Sequence, residues 1–280
     1  AQLASTIRRS ADAPILYRLA TAVDVNTFFL GSFLESQIRR LIDLASQSLT
    51  PALTAMHAAG EKARLSAAFL RGGRIGTWVA LLMALPLFVF REDVFRLYLG
   101  DQYKDYSEAG TVLALLLAGF PLTYPTRMLF SISAATAKVR PVAVRSLACA
   151  IFNLMITFFL VGFLGLGAIG SASATLISFA VFHPFVQWPL AMSMLEISSR
   201  RFIYDMLVPG LLPSAITLPI AVLLAASTGA SGLATLAINF CICTFIYLIC
   251  VAFVLTKTDR ADLARLFSVI RRRDNTRVSA

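Results

Sequence analysis

Arg40, Asp43, Gln47, Thr50 and Thr54 recur at steps of three and four residues. On a helix that spacing gathers them on one face, away from Leu41, Ala45, Leu49, Ala52 and Met56. Thr21 and Asp24, with Gly31 and Glu35 less regularly placed, repeat the arrangement just upstream. Charged side chains at bilayer depth cost at least ~2.5–3.5 kcal/mol each, so such a stripe must face protein or water. It could therefore line an aqueous cavity. The other reading is that Arg40 and Asp43, three residues apart, neutralise each other near a helix end. Further along, Pro121 and Pro125 precede Arg127. Each proline removes a backbone donor and bends its helix, and a guanidinium beside such a bend is suited to bidentate contact with phosphate oxygens. Arg127 could equally snorkel toward a membrane surface.

No enzyme signature accompanies these residues. The sequence has no nucleophile elbow and no phosphate-cradling glycine loop, and His57 and His183 are far apart. Neither catalytic residues, nor a metal site, nor a cofactor is expected. Cys149, Cys241, Cys243 and Cys250 fall within apolar helices and read as small fillers. Asn153 and Asn239 are single amides in apolar surroundings, expected to bond between helices.

The elements that hold these residues are membrane helices. Of 280 residues, 58% are hydrophobic and 14% charged, against about 45–50% and about 25% in soluble domains. The apolar residues come in blocks of roughly 20, the length that carries a helix across about 30 Å of hydrocarbon. Eight spans are expected, A to H: 16 to 34, 41 to 57, 75 to 90, 109 to 135, 142 to 164, 168 to 192, 206 to 226 and 232 to 255. Polar residues weaken A and B. With eight spans most of the 25 lysines and arginines fall on one side, which places both ends of the chain in the cytoplasm. Arg39 and Arg40 then lie in a short outer loop. A net charge of +10 serves this retention rule, and nucleic acid is not expected as a partner.

Gly165-Leu-Gly-Ala168 and Ser227 to Ser231 are short, uncharged connections that predict two tight helical hairpins. After span H, Leu263, Leu266, Phe267 and Ile270 recur among arginines, the pattern of a basic amphipathic helix on an anionic leaflet; the other reading is a disordered basic tail. The domain reading is a helical lobe over 1–195, two further membrane helices over 196–256 and a basic tail over 257–280.

Leu49-Thr-Pro-Ala-Leu-Thr-Ala-Met-His-Ala-Ala-Gly-Glu61 is followed by an arginine-rich loop and Phe95-Arg-Leu-Tyr-Leu-Gly-Asp-Gln-Tyr103. Then come Pro125-Thr-Arg-Met-Leu-Phe-Ser-Ile-Ser-Ala-Ala-Thr-Ala-Lys138, Asn153, and Gly165-Leu-Gly-Ala-Ile-Gly-Ser-Ala-Ser-Ala-Thr-Leu-Ile177. In order and character these resemble the second half of the Wzx-like polysaccharide flippases of the MOP exporter superfamily, over roughly residues 19 to 190. The resemblance implies an all-α polytopic bundle: the second six-helix lobe plus two C-terminal helices of an alternating-access transporter. It implies inner-membrane export of an undecaprenyl-diphosphate-linked oligosaccharide, and association with a missing N-terminal lobe or partner chain, and with a polysaccharide polymerase complex. Arg39, Arg40 and Arg127 would engage the diphosphate, Gln47 would line the cavity, and Asp24 and Asp43 are candidates for ion coupling. A multidrug or lipid II exporter of the same superfamily is an alternative. So is a non-transporting membrane subunit of a polysaccharide assembly complex.

Overall fold

The computed structural model describes residues 16–228 and 232–255, so the basic tail lies outside the described residues. The described chain is built from helices: α1 (Ala22–Ser48), α2 (Thr50–Ala58), α3 (Lys62–Val89) and α4 (Arg91–Leu99). They are followed by α5 (Ala109–Ala135), α6 (Val139–Phe163), α7 (Gly167–Leu195), α8 (Ser199–Thr228) and α9 (Leu233–Val254). Six of these, α3 and α5 to α9, are long and apolar enough to cross a membrane. The chain is thus an all-α, multi-pass membrane protein.

The first two expected spans are corrected. Residues 22 to 48 form one uninterrupted helix of 27 residues, about 40 Å at 1.5 Å per residue. The polar run Glu35 to Arg40, expected as a loop between spans A and B, has no glycine or proline to stop a helix. Instead Glu35 and Arg39 pair one turn apart, which staples the helix at that point. Arg39 and Arg40 therefore lie in the middle of α1 rather than in an outer loop. The expected loop before span C is also helical, since α3 begins at Lys62 and carries Arg71 and Arg74 within it.

Losing one crossing changes the ends. Leu16 packs with Val161, Gly162 faces Leu19, and Asp24 accepts a bond from Ala168 N at 3.4 Å. The first described residues thus lie beside the turn between α6 and α7. Leu255 follows a further odd number of crossings and lies at the opposite end. One end of the bundle holds the turns at 59–61, 136–138 and 196–198, the first and last of them linked by a Lys62–Glu196 ion pair at 2.8 Å. That ammonium holds the Glu196 carboxyl below the usual carboxylate range. The other end holds α4 and the 3-10 turn Gly100–Lys104.

Two apolar clusters organise the interior. One gathers Ile38 and Ile42 of α1 with Leu81, Leu85 and Phe120. The other joins Leu53 and Phe69 to Leu129, Ile132, Phe202 and Met206. Helices α8 and α3 are further registered by prolines. Pro209 and Pro213 have no N–H, which frees the carbonyls of Asp205 and Pro209 four residues earlier. Arg74 Nη1 donates to the first at 3.0 Å and Trp78 Nε1 to the second at 2.8 Å. Tyr247 of α9 then donates to Trp78 O at 3.2 Å.

Candidate functional site

Two prolines set the site. In α5, Pro121 and Pro125 interrupt the i to i−4 ladder, and the helix tightens into a 3-10 turn over Tyr124–Thr126. Trp188 of α7 supplies a donor to Leu122 O at 3.1 Å within this irregular stretch. Arg127 follows the break and projects toward α1. Its Nε and Nη2 donate to the two carboxylate oxygens of Asp43 at 2.6 and 2.5 Å. Phe130 lies under the guanidinium, its ring centroid 5.5 Å from Arg127 Cζ, and Ser131 Oγ donates to Ser46 O at 3.2 Å. A fork-to-fork pair of this kind is the strong form of ion pairing.

One and two turns back along α1, Glu35 accepts from Arg39 Nε at 2.9 Å and from its Nη2. The two pairs share a space with Tyr124, which lies within the field of all four charges. Its ring meets Phe120 edge-on at 4.6 Å. Glu35, Arg39, Tyr124, Arg127, His183 and Gln187 line a cavity of about 90 Å³. That is room for a few waters, not for a sugar chain. Asp43 is not part of this lining but pairs with Arg127 beside it, so the two carboxylates and two guanidiniums balance.

The structure brings together Arg39, Arg127 and Asp43 of the candidates. Arg40 and Gln47 lie elsewhere, exposed on the outward side of α1. Asp24 stands at the far end of the same helix, capping Thr21 N at 2.9 Å and facing Ala168. It thus satisfies the first turns of two helices. Arg40 is not paired with Asp43, because Asp43 is turned inward to Arg127. Glu35, placed only loosely on the polar stripe by its spacing, and Tyr124 were not among the expected site residues. The i, i+4 spacing of Glu35 and Arg39 was the available signal for the first.

The outward side of α1 differs from the other membrane faces. It presents Arg40, Gln47 and Ser48 beside Phe33, Leu41 and Leu44. The outward face of α6 presents Val144, Leu147, Ile151, Met155 and Phe159. That of α9 presents Leu233, Ile238, Phe245 and Phe253. The latter two faces are apolar throughout as lipid requires, whereas the first, which also exposes Val23 and Phe29, carries a charge and an amide toward its C-terminal end.

No metal-ligating cluster occurs among the described residues, and the four cysteines are free. Asn153 bonds to Thr175 of α7 at 3.3 Å and Asn239 to Thr228 of α8 at 2.9 Å, both between helices as their sequence setting suggests. Comparison with protein-family models, curated proteins and solved structures returned no match.

Proposed function

We propose that this chain is the C-terminal lobe of a membrane exporter that flips an undecaprenyl-diphosphate-linked oligosaccharide by alternating access. The observation that carries the reading is the Arg127–Asp43 pair at membrane depth, on a proline-broken helix beside a polar helix face. Discontinuous helices at the midplane are where transporters build their binding sites. A second lobe would cover the outward side of α1, giving Arg40 and Gln47 an aqueous neighbour. The turns carrying Lys62, Arg64, Lys138, Arg140, Arg200 and Arg201 would face the cytoplasm by the positive-inside rule. In a bacterium this is the inner membrane.

Cargo phosphate matches a guanidinium bidentately, so it competes with Asp43 for Arg127 and with Glu35 for Arg39. A carboxylate released in this way needs a proton or a cation in place of its arginine. Asp43 is therefore the stronger coupling candidate, while Asp24 is engaged in capping. The test is polymer export by the full-length protein at matched expression, with Arg39, Arg40 and Arg127 each replaced by Ala. Export should fall for Arg39→Ala and Arg127→Ala. Wild-type export from all three rejects the diphosphate assignment.

A second reading rests on Phe120, Phe130 and Phe179, aromatic residues that line the same cavity. In a wider, open state of the cavity they would suit a flat cationic drug held by stacking against a carboxylate. Efflux of such a compound with polymer export unaffected by the arginine variants favours that reading.

A further inference from the structure

Among the buried polar atoms of the described residues, Tyr124 Oη, Ser146 Oγ, Asn153 Oδ1, Thr157 Oγ1 and Ser171 Oγ make no hydrogen bond within the protein. They are not scattered. Ser146, Asn153 and Thr157 are spaced by seven and four on α6, which puts them on one face. Ser171, Thr175 and Ser178 are spaced by four and three on α7. The Asn153–Thr175 bond fixes how the antiparallel pair is registered, so Thr157 lies level with Ser171. Asn153, Thr157, Ser171 and Ser178 are fully buried.

The result is a polar seam along the α6–α7 hairpin. At one end Tyr124 and Ser146 line the ion-pair cavity. At the other, one turn before Ser171, Ala168 N donates to Asp24. Leaving a buried hydroxyl or amide oxygen without a partner is costly, and the cost recurs at each of these atoms. Side chains from elsewhere do not reach them, and the seam is enclosed by helices. Water is the smallest partner that can satisfy them, and internal waters bind buried polar groups that lack a protein partner.

We infer that the α6–α7 seam binds a file of internal water running from the Glu35–Arg39 cavity toward Asp24. The file is separate from the outward side of α1. It gives water, and a proton travelling along it, a route to the sheltered ion pairs from the Asp24 end, whatever the cargo.

Water-edited solid-state NMR of the full chain in lipid bilayers tests this, by timing polarisation transfer from water to individual side chains. Thr157 and Ser171 should receive it severalfold faster than Ala80 and Leu113, which are equally inaccessible but apolar in surroundings. The double variant Thr157→Val with Ser171→Ala should slow transfer to Asn153. Transfer to Thr157 and Ser171 as slow as to Ala80 and Leu113 overturns the inference. That comparison needs only the wild-type chain, so a poorly folding variant does not spare it.

Discussion

Arg127 holds Asp43 with both arms of its guanidinium, across 84 residues of sequence and between a broken helix and a continuous one. Each side chain retains 28% exposure, so the pair is partly sheltered rather than sealed. Removing one partner leaves the other charge uncompensated, a loss of about 3–5 kcal/mol when such pairs are buried. Thermal unfolding in detergent should therefore show Arg127→Gln and Asp43→Asn each clearly destabilised. The double variant should recover part of the loss, by about 1–3 kcal/mol of coupling. Additive losses would mean that the two side chains do not act on each other.

Because α1 runs unbroken from Ala22 to Ser48, the residues before it and the turn after α5 lie at opposite ends. Single cysteines at Thr21 and Ala137, in a chain whose own cysteines are replaced by alanine, should label from opposite sides of sealed vesicles. Labelling from the same side would restore the two-span reading of residues 16 to 57.

Trp78 donates to the carbonyl that Pro213 frees, and Arg74 to the one that Pro209 frees. Trp78→Phe keeps one aromatic ring and loses the donor together with the five-membered ring that carries it. It should cost about 1–3 kcal/mol, the penalty of a buried carbonyl left unpaired. Denaturant titration monitored by helix content checks this, and a loss near zero would show that the Pro209 carbonyl finds water instead.

Gly31 is placed where α1 crosses α5. A Cβ there would come within 2.6 Å of Val112 Cγ1 and 2.8 Å of the Ala109 carbonyl oxygen. Gly31→Ala should destabilise by about 1–3 kcal/mol, the usual cost of overpacking. At Gly76 nothing lies within 4 Å of the added atom, and Gly76→Ala should stabilise by about 0.5–1 kcal/mol through helix propensity. Melting temperatures of the two variants should move in opposite directions.

The later helices were legible because their apolar runs are long and their ends are marked. The expected span 109 to 135 coincides with α5, and Gly165 and Gly167, with φ of 64° and 47°, make the turn between α6 and α7. The start of the chain was not, because hydropathy treats Glu35 to Arg40 as a loop. An ion pair inside a helix has the same composition as a loop between two helices. Pro121, Pro125 and Arg127 announced a bend and a cation, while the partner of that cation lay 84 residues away, beyond the reach of any local spacing rule. Asp43 was legible as a polar residue at depth, but the spacing tied it to Arg40, and tertiary contact turned it toward Arg127.

Transport by this chain requires water to reach the outward side of α1 in the working protein. Cysteines at Arg40 and Gln47, and at Leu147, Ile151 and Met155 of α6, can be exposed in intact cells to a small, charged thiol reagent. Positions 40 and 47 should react while the three on α6 remain unlabelled. Positions 40 and 47 as unreactive as 147, 151 and 155 would contradict an aqueous passage beside α1.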